Sequence, residues 1–291
     1  IMMIFFMVMP GLLSGFGKIN YILFKKDEIK LFHTISETED NLRSKLGAYL
    51  AGLVEADGSI AVHDVNSNAK KYRPKILLVF SISDKPLADK LASITNAGTV
   101  YAKLNAGHVI WHIQKTEDVI KIINIINGFM RTPKIEALHR AISWFNTYDN
   151  LQLECLNLDN SPIDSNAWLA GFTDGEGCFT CSIGKHRGFS YNFNISQKWD
   201  INLKILEHLC ILFKGGIVSR HSVDNTYEFR IGGVKNCKNI FFYFDSYKLY
   251  TKKSLSYALW KEIYDDLLKK HHIDPTKRLE MIEKVRLINK F

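Results

Sequence analysis

Two acidic residues close the two copies of a repeated nonapeptide, and that position is chemically awkward unless something cationic joins them. Residues 50–58 read L-A-G-L-V-E-A-D-G and residues 169–177 read L-A-G-F-T-D-G-E-G. Asp57 and Glu176 each precede the closing glycine, where the spacing of apolar residues predicts a helix C-terminus. That end of a helix is already partly negative, so a carboxylate there costs a few tenths to about 1 kcal/mol. Two such ends side by side repel. A divalent cation reverses the sign, because carboxylates and free helix-end carbonyls are hard oxygen ligands suited to Mg2+. A single Asp-Gly after a helix is an ordinary stop signal with glycine as the left-handed cap; the same arrangement twice in register is not accounted for in that way.

Small residues recur one helical turn apart in each copy, Gly52 with Ala56 and Gly171 with Gly175. Positions i and i+4 share a face, and a face without bulk lets two backbones approach closely. Leu50, Leu53 and Val54 in one copy, and Leu169 and Phe172 in the other, can anchor each helix in its own half. The two motif helices are therefore expected to pack on each other and bring the two acids together. The register also extends beyond the motif. Thr132-Pro133-Lys134 lies as far past the first copy as Thr251-Lys252-Lys253 lies past the second, and each opens an apolar-periodic stretch. One fold is present twice.

Each half gives the same order of elements. After the motif helix come strand-like runs at 59–65 and 76–83, matched by 178–183 and 191–197. Helices follow at 86–95, with proline at the start, and at 201–212 behind Asp200 as a cap. Strands at 99–104 and 109–114, and at 217–221 and 227–231, precede closing helices near 119–126 and 134–145, then 236–244 and 253–268. The class is α+β, with two pseudo-symmetric αββαββα halves and antiparallel sheets. The expected segments are an apolar lead-in at 1–45, a first half at 46–146, an Asn-, Asp- and Ser-rich linker at 147–165, and a second half at 166–268. A basic tail at 269–291 ends in a short helix, 275–288, opened by Asp274 and Pro275.

The nonapeptides resemble the consensus L-A-G-L-I-D-A-D-G of the LAGLIDADG homing endonucleases, and the likeness extends over 46 to about 268 because the element order agrees too. The resemblance implies saddle-shaped sheets around a central two-helix interface. It implies that Asp57 and Glu176 bind metal, assisted by backbone carbonyls near Ala56 and Gly175, with Mg2+ or Mn2+ as cofactor and Ca2+ as a non-cleaving substitute. The implied reaction is metal-assisted hydrolysis of both strands of a DNA duplex across its minor groove, which promotes intron homing. A basic residue near the metals is expected at the end of the fourth strand. Lys115 fits in the first half, whereas the second-half position falls near Gly233 with Lys235 as a substitute, so unequal cutting of the two strands is expected. Some members of the family are maturases that assist group I intron splicing, which makes the chain's own intron RNA an alternative partner. A non-cleaving DNA-binding protein on the same scaffold is a third reading. Acids retained in both motifs favour cleavage.

Strand alternation sends Ile60, Val62, Phe80, Ile82, Phe179, Cys181, Ile183, Phe193, Ile195 and Gln197 inward. It leaves Ser59, Ala61, His63, Ser81 and Ser83 outward in the first half, and Cys178, Thr180, Ser182, Asn194, Ser196 and Lys198 outward in the second. Tyr101, Lys103 and His112, with Arg220, Glu228 and Arg230, are further candidates for DNA contact. Such faces suit base edges and phosphates in a major groove, which admits a β-ribbon. Two sheets, each following about one turn of duplex, cover on the order of 20 base pairs, and unequal side chains in the halves predict a pseudo-palindrome.

Composition is consistent with this picture. The formal charge of +8 favours a polyanionic partner, and 46% hydrophobic residues exclude bulk disorder. The 5 cysteines are odd in number and scattered, so no disulfide framework is expected. Cys178 and Cys181 form one C-x-x-C without a second pair at zinc-binding spacing. The opening residues 1–13 are almost wholly apolar yet too short for a confident membrane span, and they lack the basic region of a secretory signal. Residues 5–17, F-F-M-V-M-P-G-L-L-S-G-F-G, resemble a segment of cytochrome c oxidase subunit 1. That likeness implies an intron-encoded protein translated in frame from the preceding exon, a mitochondrial matrix location, and a DNA site in the uninterrupted oxidase gene around the codons for Gly15-Phe16-Gly17. A monomer without a membrane partner for its folded domain is expected.

Overall fold

The first motif helix is longer than its nonapeptide. In the computed structural model, which describes residues 39–63, 72–184 and 188–290, helix α1 runs Glu39–Asp57 and so reaches back into the expected lead-in. The apolar opening segment and its oxidase-like stretch lie outside the described residues. Helix α1 hands directly into strand β1 (Gly58–Ala61), which is shorter than expected: Val62 and His63 lie beyond it, and Val65 is outside the described residues. Strand β2 (Lys75–Ser81), helix α2 (Lys85–Thr95), strands β3 (Thr99–Lys103) and β4 (His108–Ile113), and helices α3 (Thr116–Ile126) and α4 (Ile135–Tyr148) complete the first half. The second half repeats the order as α5 (Trp168–Glu176), β5 (Gly177–Ile183), β6 (Phe189–Lys198), α6 (Leu203–Leu212), β7 (Ile217–Arg220), β8 (Thr226–Gly232), α7 (Val234–Ser246) and α8 (Lys253–Leu268). Helix α9 (Pro275–Leu287) follows, opened as expected by an Asp274 side chain that accepts from the Lys277 amide at 2.9 Å, with proline at its first turn.

Each half builds one four-stranded antiparallel sheet, ordered β1-β2-β4-β3 and β5-β6-β8-β7. Alternation does the packing. Ile76, Leu78, Phe80, Val109, Trp111 and Ile113 are buried on one face of the first sheet, and Phe179, Phe193, Ile195, Phe229 and Ile231 on one face of the second. Helix α3 covers the first core with Val119, Ile122, Ile123 and Ile126, an i, i+3, i+4 stripe that is wholly buried. In the second half α8 brings Trp260 flat against Tyr191, ring centroids 4.1 Å apart, while the Tyr191 hydroxyl donates to the Trp260 carbonyl at 2.8 Å. Helix α9 lies along edge strand β5, and Asn289 beyond it donates to the Phe179 carbonyl at 2.8 Å. No described helix is long and apolar enough to cross a membrane.

Three local expectations are corrected. The strand ends at Ser81, so the alternation does not carry on to Ser83. Ile82, Ser83 and Asp84 form a 3-10 turn in which Ile82 is exposed and the Ser83 hydroxyl pairs with that of Ser81 at 3.0 Å. Asp200 is not a helix cap, because a 3-10 turn intervenes before α6 and its carboxylate accepts instead from the Tyr227 hydroxyl. Arg220 pairs across the ladder with Tyr227, whereas Ser219 pairs with Glu228. Arg220 therefore stands on the face opposite Glu228 and Arg230 and does not share their surface.

The packing of α1 on α5 is closer than any side chain would permit. A Cβ at Gly52 would lie 2.1 Å from the Trp168 carbonyl oxygen, and a Cβ at Gly171 would lie 1.9 Å from the Tyr49 carbonyl oxygen. Both obstacles are backbone, so relief requires the helices to part. Gly52→Ala and Gly171→Ala are each expected to cost about 3 kcal/mol or more in urea denaturation. Gly215→Ala, whose added Cβ meets nothing nearer than 3.7 Å, is the control expected to stay close to wild type.

Candidate active site at the junction of the two motif helices

Because α1 and α5 meet through glycine, their C-termini emerge together with Asp57 on one and Glu176 on the other. Glu176 feels the charge of Asp57. The Glu176 carboxyl is raised above the usual range by burial first and by the Asp57 charge second, opposed by a Gln197 side-chain hydrogen bond and by Lys253 and Lys134. The Asp57 carboxyl is also raised, by partial desolvation, and is drawn back by Lys253 and Lys134. Gly175 keeps the space beside Asp57 clear, since a Cβ there would sit 3.0 Å from Asp57 Oδ2 and 2.3 Å from the Ala56 Cβ.

The lysines are the residues that sequence reasoning placed elsewhere. Lys134 Nζ donates to the carbonyls of Val54 (3.2 Å), Glu55 (2.6 Å) and Gly58 (3.0 Å). Lys253 Nζ donates to the carbonyls of Thr173 (3.1 Å) and Gly175. Each ammonium thus caps the negative end of its motif helix. Burial pulls both amines below their usual range; Glu55, Glu176 and Asp57 oppose this at Lys134, and Asp174, Asp57 and Glu176 at Lys253. Lys115 instead stands exposed before α3, lining a surface depression with Gly98, Asp118 and Lys121. Lys235 is exposed in the first turn of α7. The lysines whose charges act on Asp57 and Glu176 are Lys134 and Lys253, which match between halves. A signal was present in the sequence: the two lysines stand equally far from their acids.

Behind the acids lies a second pair, exchanged between the halves. Glu55 is buried and accepts from the Arg131 amide (2.9 Å), the Thr132 amide (2.5 Å), the Thr132 hydroxyl (2.7 Å) and the Trp168 indole (2.5 Å). Asp174 accepts from the Tyr250 amide (2.8 Å), the Thr251 amide (3.2 Å), the Thr251 hydroxyl (2.6 Å) and the Tyr49 hydroxyl (2.7 Å). Trp168 belongs to the helix opposite Glu55, and Tyr49 to the helix opposite Asp174. Burial pushes Glu55 up to about 7 and raises Asp174 as well, against the donors that favour the charged form. A third carboxylate, Asp84, is buried at the end of the turn after β2 and accepts from the Lys252 amide of the other half at 2.6 Å. Its charge adds to the rise at Asp57.

Among the described residues no group of three or more His, Cys, Asp or Glu forms a ready-made metal cluster. The donor set is two repelling carboxylates and helix-end carbonyls, in a space that a side chain at Gly175 would fill. It fits a hard divalent cation.

Comparisons with known proteins agree with this geometry. The family model for the LAGLIDADG endonuclease matches residues 50–145 and again 169–264. The chain is 34% identical to the intron-encoded DNA endonuclease aI3 of Saccharomyces cerevisiae, over 90% of this chain and 74% of that protein. It is 25% identical to an uncharacterized cox1 intron protein of Schizosaccharomyces pombe, over 87% of this chain and 75% of the relative. Among solved structures, the homing endonuclease I-GzeII in complex with its DNA target aligns at TM-score 0.69 and 18% identity, covering 84% of this chain and 98% of that one. I-SmaMI, bound to uncleaved DNA in the presence of calcium ions, aligns at TM-score 0.68 and 18% identity, covering 84% and 99%.

The crossed bonds to Asp174 and Glu55 are individually testable. Tyr49→Phe removes one hydroxyl from a buried carboxylate and is expected to lower stability by about 1.5–3 kcal/mol; Trp168→Phe, which takes the indole donor from Glu55, is expected to cost at least as much because it also removes buried ring area. Urea denaturation of both variants with a stability loss under 0.5 kcal/mol would show, to order of magnitude, that these bonds contribute nothing net.

Proposed function

Because this chain belongs to the LAGLIDADG endonuclease family, we propose that it is a homing endonuclease that cuts both strands of a long, nearly palindromic DNA site and so promotes the spread of its own intron. The observation that carries the reading is the meeting of Asp57 and Glu176 at the ends of two helices locked by glycine contact, with a half-buried lysine behind each. Asp57 and Glu176, with the carbonyl at Ala56, would hold Mg2+ or Mn2+, with Ca2+ as the expected non-cleaving substitute, whereas the Gly175 carbonyl expected to join them already accepts from Lys253. An ion there supplies an activated water and neutralises charge on the attacking and leaving oxygens.

The chain's own side chains do the positioning. Lys134 and Lys253 hold fixed positive charge at both helix ends, which favours the negative charge that builds on a phosphate under attack. Gln197 stands close enough to Glu176 to favour its charged form. No covalent enzyme intermediate is needed. Two motifs in one chain supply both acids, so a monomer suffices. The outward polar residues of the two sheets are the proposed DNA contacts, Arg220 excepted. The oxidase-like residues 5–17 and a relative from a cox1 intron support a mitochondrial matrix location and a target at the exon junction.

The test is cleavage of intronless oxidase-gene DNA spanning the codons for Gly15-Phe16-Gly17. Double-strand cutting is expected with Mg2+ and not with chelator, lost in Asp57→Asn and Glu176→Gln, and reduced on the order of 100-fold in Lys134→Met and Lys253→Met with duplex binding retained. Wild-type protein that binds this duplex but never cuts it points to a non-cleaving regulator, and preferential binding of intron RNA points to a maturase.

A further inference from the structure

The two sheets each turn one face to the helices, the other face is uncovered by any helix among the described residues, and their registers correspond residue for residue. Gly58 opens β1 opposite Leu78, and Gly177 opens β5 opposite Ile195. These outer faces can therefore be compared row by row. Leu77, flanked by Ser59 and His112, occupies the place that Asn194 occupies between Cys178 and Arg230. Val79 beside Ile110 corresponds to Ser196 beside Glu228. The middle of one face is thus an aliphatic cluster, with Val79 44% exposed. The middle of the other is Asn, Ser and a Glu228–Arg230 ion pair at 2.7 Å.

Both faces also carry unmet polar atoms. Asn194 Oδ1 in one and His112 Nε2 in the other are shielded from solvent without a hydrogen-bond partner, and such atoms ask for a ligand. Lys75, Lys103 and His108 stand on the same face as the aliphatic cluster, a rim suited to phosphates and unsuited to an apolar protein partner.

We propose that the halves read different base chemistry: Leu77, Val79 and Ile110 pack on the C5-methyl groups of thymines in one half-site, while Asn194, Ser196 and the Glu228–Arg230 pair read base edges in the other by hydrogen bonds. The proposal rests on the reading of this chain as a duplex-binding endonuclease. In the major groove the thymine methyl is the apolar feature a base pair offers, so an aliphatic cluster within a cationic rim matches a thymine-rich stretch and leaves the donors and acceptors of a G·C pair unpaired. The target is then palindromic in its phosphate path and unlike in its bases.

The experiment is enrichment of bound duplexes from a randomised library of about 20 base pairs by the full chain in Ca2+, followed by replacement of thymine with deoxyuridine in one half of the selected site at a time. Deoxyuridine is expected to weaken binding about fourfold for each buried methyl lost, in one half only. Val79→Ser and Ile110→Asn, surface changes whose folding is checked by circular dichroism, are expected to abolish that sensitivity while leaving the other half's preferences intact. Equal deoxyuridine effects in both halves, or none in either, overturn the proposal while leaving the endonuclease reading standing. Failure to select any duplex overturns both.

Discussion

Everything at the centre of this molecule depends on two backbones touching. Gly52 lies against the Trp168–Phe172 turn of α5, and Gly171 against the Tyr49–Leu53 turn of α1. The contacts are reciprocal, so neither helix can move away without the other losing its partner. Close approach fixes where the two helix C-termini end, and it lets Tyr49 and Trp168 reach the buried acids of the opposite helix. A Cβ at either glycine would separate these features together, because one interhelical distance sets them all.

That approach concentrates charge of one sign. Two negative helix ends, Asp57 and Glu176, and the buried Glu55, Asp174 and Asp84 all crowd one region. An uncompensated buried carboxylate is prohibitively costly, and the structure answers it at each position with donors. Glu55 and Asp174 are saturated by amides, hydroxyls and an aromatic from across the interface, and Lys134 and Lys253 neutralise the helix ends. Asp57 and Glu176 have no comparable set of donors among the bonds described, and Gly175 keeps the space beside Asp57 clear. Charge satisfied in the second rank and left unsatisfied in the first is the arrangement expected of a site that waits for a cation.

The pseudo-symmetry is strict where packing enforces it and loose where it does not. Helix contacts, ladder register and the spacing from Glu55 to Thr132 repeat in Asp174 and Thr251. The outer sheet faces diverge, aliphatic in one half and polar in the other, where no helix among the described residues packs over them. Asp84 is a further break. It reaches the Lys252 amide of the other half, and no second-half residue returns the contact among the bonds described.

The sequence by itself determined the duplication, the α+β class, the small-residue helix faces and the two acids, since periodicity and register are properties of a one-dimensional string. Helix α9 was legible for the same reason, through Asp274 and Pro275. The ends of strands were not: β1 stops at Ala61 and β2 at Ser81 because sheet pairing, and not local alternation, decides where a ladder ends. The face of Arg220 likewise followed from its ladder partner. Only the tertiary structure decided which cations serve the acids. Lys115 is nearer than Lys134 to Asp57 along the chain, but the turn before α4 folds Lys134 back onto the carbonyls of α1 while Lys115 points to solvent. Electrostatic partnership depends on distance through space, and sequence spacing does not contain it until the helices are packed.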